Sequence, residues 1–462
     1  MTVIDDVSKS LGRTWGERLV ARGDAGFDDA AGVVFAGDGA APALVARPRD
    51  VREVAAVVCA AADTGVPFAV RGGGHAYARY GTVADGLVLD LRLLGGAQID
   101  PVGRIGIASG GTTAGDYTRA AAEHGLATGF GDTLSVGVPG LALGGGIGYL
   151  SRRDGLTLDN VLGAEVVLAD GSVVRASEDE NADLFWALRG GGGNFGVVTR
   201  LDLRLTPTAV VTGGLLAFAP DPRTVGALLE AAAQAPDELS LMVNVMKAPP
   251  APFLPTELHG RPVVVALVCH AGAPEGVDAV LAPFRAAGTL LVDLVRTQPY
   301  PGLFGVAPNQ ARTWPTQRTG FVETVGEADA AAVIEAVRAA PTPVAVLNLR
   351  PMGGAIARVP RDATAFAHRD RAVMATVGAI STEGGQVPEA RAWVARVADE
   401  LGIGGAAYAN FVADGETGGV SDAYPPDTLR RLREIKRQVD PENLFRSNLN
   451  VVPAVERVPA AR

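Results

Sequence analysis

Three clusters of glycine, all within the first two hundred residues, constrain this chain more than any other feature. They read Gly72-Gly73-Gly74-His75, then VGVPGLALGGGIG ending at Gly148, then Gly190 to Gly193 followed by Asn194-Phe195-Gly196. Glycine has no Cβ, so backbone there adopts positive φ and approaches other groups closely. Exposed N–H groups in such loops are good cradles for phosphate. One loop of this kind is ordinarily a turn. Three, each beside a strand or helix end, are expected to converge on a pyrophosphate-containing cofactor.

Gly191 to Gly196 matches G-x-G-x-x-G literally. The dinucleotide fingerprint needs a strand before it and a helix after it, whereas here a helical stretch precedes and a strand-like stretch follows. That order argues against a nicotinamide dehydrogenase, and no GxxxxGK[ST] loop is present.

The surrounding pattern supplies the elements. Asp50 can cap a helix carried by Val51, Val54, Val58 and Ala61, with Gly65 and Pro67 as stops. Pro67–Arg71, Gly86–Leu91 and Arg104–Ala108 read as strands, and Thr112–His124 as a helix ended by Gly125. Strands are expected again at Asn160–Leu168, Val173–Ala176 and Val197–Leu205. Between the last two, Ser177-Glu178-Asp179-Glu180 has the form of a capping box opening a helix through Leu188. Pro207 closes this region.

From Thr208 the texture changes. Strand-like runs at Leu215–Ala219, Leu239–Val245, Val263–Val268, Leu290–Val295 and Val344–Leu349 accompany Ala-rich helices near Arg223–Ala235, Glu275–Ala287, Glu327–Ala339 and Glu389–Leu401. Several strands follow one another through short turns, which points to an α+β unit with an antiparallel sheet. Asp427–Val439 is an amphipathic helix, and Pro441–Pro453 is extended.

Composition excludes several classes. With 41 Lys and Arg against 51 Asp and Glu, the net charge of −10 is the wrong sign for a general nucleic-acid binder. Two cysteines, Cys59 and Cys269, sit far apart, and the five histidines form no metal-binding motif, so no metal is expected. The stretch from Met1 to Asp28 lacks a signal pattern, and no uncharged apolar run reaches spanning length. The expectation is a soluble cytoplasmic protein with no nucleic-acid or membrane partner.

The motifs together resemble a known family. Val70-Arg71-Gly72-Gly73-Gly74-His75, Val136-Gly137 through Gly148, Leu184 through Thr199, and Asp440-Pro441-Glu442-Asn443-Leu444-Phe445-Arg446 with Asn448 and Asn450 look like the berberine-bridge-enzyme-like branch of the vanillyl-alcohol-oxidase flavoproteins. The resemblance covers the first two hundred residues and the last forty; the middle is similar in layout alone. It implies an α+β molecule with a PCMH-type FAD-binding domain built from both chain ends. On that division residues 1–207 form the FAD domain (core about 38–207), 208–411 a substrate domain with an antiparallel sheet covered by helices, and 412–462 a segment returning to the FAD domain. His75 matches the histidine bonded to the flavin 8α-methyl carbon, the competing reading being a loop histidine with a structural partner. The resemblance also places Arg71, Gly72, Gly73, Gly74, Asp132, Val136, Gly137, Gly140, Gly144, Gly145, Gly148, Val198, Asn448 and Asn450 on the cofactor side.

Two departures from the family pattern matter. Thr133 stands where doubly attached members have cysteine, so one covalent bond is expected. Arg79 stands at a family glycine, where contact with a phosphate and exposure to solvent both remain open. Val136 matches a valine that goes with oxygen access, which implies oxygen as electron acceptor.

The reaction implied is hydride removal from a secondary alcohol, amine or related C–H bond of a small, specialised metabolite. Relatives place a proton-accepting tyrosine at the end of Tyr-x-Asn-Tyr; this chain reads Tyr408-Ala409-Asn410-Phe411. Read as a strand, Tyr408 and Asn410 share one face and Phe411 takes the other. Tyr408 is the stand-in, against a buried structural tyrosine. Asn348 and Arg350 alternate onto one strand face as pocket-wall candidates with Phe411, and His270, His368, Arg369 and Arg371 are further polar groups. The alternative function is a flavin-containing scaffold for a non-redox cyclisation or for sequestering a ligand. Assembly as a homodimer is left open.

Overall fold

The computed structural model describes residues 3–37, 39, 41–304, 312–413 and 419–455. Met1, Asp38 and the last residues of the 412–462 segment therefore lie outside the description. Three larger sheets organise the described residues, beside a two-stranded pairing of Leu126–Ala127 with Thr206–Pro207.

The first has four strands in the order Leu19–Ala21, Leu44–Ala46, Leu87–Asp90, Phe68–Arg71. The last three run parallel, which requires a crossover, and the helix Val51–Thr64 supplies it. Asp50 caps that helix by accepting from the Arg52 and Glu53 N–H groups, and Gly65 ends it in the left-handed region.

The second sheet is antiparallel, ordered Ala97–Asp100, Ile105–Ser109, Val197–Arg204, Val161–Val167, Val173–Ala176. Its core is shared with Leu429, Leu432 and Ile435 of the helix Pro426–Val439, so the end of the chain packs against its beginning. One expectation fails here. The helix after Glu180 starts at Ala182, and its N-cap Asn181 has positive φ and makes no side-chain cap. Ser177 instead accepts from the Glu180 N–H in a preceding turn, a local bond that competes with capping.

The third sheet, fully antiparallel, has eight strands, running from Leu290–Asp293 through Val210–Phe218, Pro262–His270, Leu239–Lys247, Val344–Pro351 and Val373–Ser381 to Trp314–Val322, with Arg296–Pro299 also on Val210–Phe218. Trp314–Val322 and Val373–Ser381 escaped the sequence reading: the former carries Pro315, Gln317 and Arg318, and the latter is buried along most of both faces. Helices Pro222–Gln234, Val277–Arg285, Glu327–Arg338 and Val387–Glu400 cover one face. Strand alternation decides the rest. Ala345, Leu347 and Leu349 join the core under the helices, so Val346, Asn348 and Arg350 face the other way. That opposite face looks toward the glycine clusters. Among the described residues no helix is long and apolar enough to cross a membrane.

Candidate active site

The three glycine clusters meet. Gly73 and Gly137 are back to back; a Cβ on Gly73 would lie 2.3 Å from the Gly137 nitrogen. The second and third clusters are joined by the Gly190 N–H, which donates to the Leu143 carbonyl at 2.9 Å. Gly146 has φ +90°, and a Cβ there would strike the Thr157 hydroxyl at 2.1 Å. Only glycine fits these close approaches.

The tail of the chain locks the third cluster. Lys436 and Asp440 are fully buried and paired at 2.5 Å. The Lys436 ammonium also donates to the Asn194 and Phe445 carbonyls at 2.7 and 3.0 Å. Asn194 in turn donates to the Leu449 carbonyl and accepts from the Val451 N–H. A buried lysine is tolerable because its charge is met on every side.

One cavity of about 590 Å³ runs along all three clusters and under the third sheet, a size typical of ligand sites. Gly72, Gly73, Gly74 and His75 line it from the first cluster. Asp132, Val136, Gly137, Gly140 and Gly144 line it from the second, and Val198 and Asn448 from the third cluster's side and the tail. Tyr408, Asn410, Phe411, Asn348 and Arg350 line the same space. Gly145, Gly148 and Asn450 do not border it. Gly148 is required elsewhere, since a Cβ would collide with the Phe130 carbonyl. Arg71 borders the cavity, yet its guanidinium turns inward to the buried Asp90 at 3.0 Å and to the carbonyls of Ala30, Ala31 and Gly32. It staples the first sheet to the segment before it. His270, His368, Arg369 and Arg371 lie outside the cavity: Arg369 pairs with Asp159 at 2.6 Å, and His368 bonds to the Ala423 carbonyl.

His75 is half-buried, bonded to the Ser135 backbone, and edge-on to Phe35. Burial pushes its pKa below the ordinary histidine value, and the Ser135 contact offsets this in part. The ring is neutral at pH 7. Tyr408 is buried; its hydroxyl oxygen accepts from the Gly146 N–H at 2.8 Å and the Asn410 amide at 3.1 Å. Burial raises its pKa more than these donors lower it, so the phenol stays protonated.

The strand expected at Tyr408–Phe411 is a 3₁₀ turn over Ala409–Phe411. Successive side chains in such a turn splay by about a third of a revolution and do not alternate. Phe411 therefore shares the cavity with Tyr408 and Asn410, its ring 5.2 Å from that of Tyr408.

On the sheet side Arg350 is the hub. It donates to Asn348 at 2.9 Å, to the Ile147 carbonyl at 3.1 Å and to Asp132 at 2.6 Å. Asn348 donates to Asn244 at 2.7 Å, directly across the strand pair. Burial raises the Asp132 pKa, but Arg350 and the Thr133 hydroxyl outweigh it and keep the carboxylate ionised. Asn244, Gln317 and Thr376 on this wall, and Phe35 and Tyr77 beside it, were missed by sequence reasoning. Alternation along Leu239–Lys247 was the signal for Asn244; the others sit on unrecognised strands or in loops.

A cavity of this size along three glycine clusters suits a dinucleotide. The glycine cradle leaves room for a diphosphate, and the Asn448 Oδ1, buried on the cavity wall, meets no protein donor among the described residues. The comparisons agree. An FAD binding domain model matches residues 42–177, and a berberine and berberine-like model matches 407–452; both regions border the cavity. (R)-6-hydroxynicotine oxidase of Paenarthrobacter nicotinovorans is 30% identical over 447 residues, covering 93% of this chain and 95% of that one. A crystal structure of 6-hydroxy-D-nicotine oxidase from Arthrobacter nicotinovorans superposes with TM-score 0.82 at 28% identity, covering 94% of this chain and 98% of the other. The fold is also that of a glucooligosaccharide oxidase from Acremonium strictum, described with a 6-S-cysteinyl, 8α-N1-histidyl FAD (TM-score 0.79, 24% identity, 95% and 97% covered). With its glycine cradle, its tail and its sheet-roofed cavity, this chain belongs to the berberine-bridge-enzyme-like FAD-linked oxidoreductases of the PCMH-type fold.

Proposed function

We propose that the protein is an oxidase that removes hydride from a secondary alcohol or amine carbon of a small molecule, with FAD attached through His75 alone and oxygen as the acceptor. The observation that carries this reading is a single cavity bordered at once by the glycine cradle, by His75 and by the polar wall of Asn348 and Arg350. We assign residues 1–207 and 412–462 to the cofactor unit and 208–411 to the substrate unit.

FAD, when bound, supplies the hydride acceptor. Gly72 to Gly74 and Gly137 offer backbone N–H groups without side-chain obstruction, and Asn448 offers a carbonyl. His75 is a neutral imidazole on the cavity wall, the form in which a ring nitrogen can bond to carbon. Thr133 donates its hydroxyl to Asp132 at 3.0 Å and has no thiol to form a second link. Arg350, Asn348 and Asn244 form a fixed polar track that orients a substrate. Tyr408 braces the Gly144–Gly146 backbone; a protonated phenol with donors aimed at its oxygen is a poor proton acceptor. The substrate is accordingly taken in its neutral form.

Acid precipitation tests the attachment. Yellow colour should stay with the pellet in the natural protein and move to the supernatant in His75→Ala. Complete release of flavin from the natural protein overturns the covalent link. Anaerobic addition of secondary alcohols and amines should bleach the flavin band with a productive substrate, and admission of oxygen should restore it. A panel that binds without bleaching would favour a non-redox scaffold.

A further inference from the structure

We propose that the Arg350–Asp132 pair makes this cavity selective for uncharged, ring-bearing molecules and that each partner cancels an ionic preference the other would impose. The inference deepens the oxidase reading and rests on it for the place of the substrate. Among the described cavity-lining residues the charged side chains are Arg71, Asp132 and Arg350. The Arg71 guanidinium turns away from the cavity to Asp90 and the carbonyls of Ala30, Ala31 and Gly32, which leaves one cation and one anion facing the space, 2.6 Å apart.

The pair is built, not incidental. Its members come from opposite walls, a glycine-cluster loop and a sheet strand, 218 positions apart in the chain. Arg350 is held by three acceptors, and its guanidinium lies 5.1 Å from the centre of the Phe411 ring. Its side chain is 8% exposed and that of Asp132 is 31% exposed, so the carboxylate opens onto the cavity while the cation is sheathed. At this separation the pair acts on a third charge as a dipole, pulling less than either charge would alone. An anion meets the exposed Asp132 carboxylate, a cation finds that carboxylate already engaged by Arg350, and either would leave water for little net gain.

What remains attractive is neutral. Asn244, Asn348, Gln317 and Thr376 offer donors and acceptors from the sheet. Phe35 and Tyr77 are stacked at 4.9 Å, and Tyr77 meets Phe411 edge-on at 5.7 Å, a continuous aromatic wall beside them. A flat ring carrying hydroxyl, carbonyl or unprotonated amine groups satisfies both walls.

Three probes of one ring size test this on the purified full-length protein: benzamide, benzoate and benzylammonium, titrated by calorimetry. The expected order in the natural protein is benzamide tighter than either ion. Asp132→Asn should improve benzoate relative to benzamide by about tenfold or more, and Arg350→Gln should do the same for benzylammonium. The double variant should return to the neutral preference, which separates charge from disturbed folding. An ionic preference in the natural protein, no binding of any probe at millimolar concentration, or single variants that keep the original order would each overturn the proposal. If one single variant does not fold, the natural order and the other variant decide. Flavin colour is recorded separately: colourless protein would sink the cofactor reading, while the calorimetric order still judges the charge pair.

Discussion

The two walls of the cavity are made differently. One is backbone, drawn from three glycine clusters near the start of the chain and pinned by its last helix. The other is side chains, set on one face of an antiparallel sheet from the middle. A wall of backbone admits little substitution at Gly73, Gly137 and Gly190, where a single methyl group would collide with main chain. A wall of side chains can be rewritten position by position while the core beneath it stays the same. The difference sets a cradle that tolerates little change opposite a side-chain wall that tolerates more.

The comparison can be broken most directly at the pin. Lys436→Met should cost about 3–5 kcal/mol in urea unfolding, because Asp440 is left buried without its partner. A loss below about 1 kcal/mol would mean that the glycine wall stands without its tether. Gly73→Ala comes next, with about 1–3 kcal/mol of strain and little or no flavin retained. A yellow, stable Gly73→Ala protein would remove the distinction between the walls. Tyr408→Phe should cost about 1–2 kcal/mol, since the Gly146 N–H loses its acceptor. It should lower kcat only modestly at unchanged pH profile; abolition of turnover with flavin in place would identify Tyr408 as the proton acceptor instead.

Thr376→Val, on the side-chain wall, should cost about 0.5–1 kcal/mol, keep its flavin and alter KM more than kcat. The smallest effect is with pH. Burial lowers the pKa values of His270 and His368, so stability is full above the ordinary histidine range and declines as pH falls through it. Thermal unfolding in His270→Gln should show a shallower decline, because one of the groups that must charge is gone.

The glycine wall was legible because its signal is local. A run of glycines beside a strand end means close backbone approach wherever it occurs, and the convergence expected for Gly73, Gly137 and Gly190 is what the fold contains. Asn348 and Arg350 were legible for the same reason, since two-residue alternation is a property of one strand. Arg71 borders the cavity as expected, but the direction of its guanidinium, toward Asp90 nineteen positions away, could not be read from the sequence. Tyr408 to Phe411 misled because four residues are too few to separate a strand from a turn by pattern.

The sequence by itself determined that backbone would line a cofactor cleft and that the middle of the chain would form an antiparallel sheet. Those properties follow from residue type and near-neighbour spacing; that both ends would build the cleft was implied only by the resemblance of its motifs to a family. Only the tertiary structure decided which polar groups meet: Asp132 with Arg350, Asn244 with Asn348, Lys436 with the Asn194 carbonyl. Each pairing depends on strand register and on how one unit docks on another. Coulomb attraction and hydrogen bonding act over a few ångströms of space and take no account of distance along the chain.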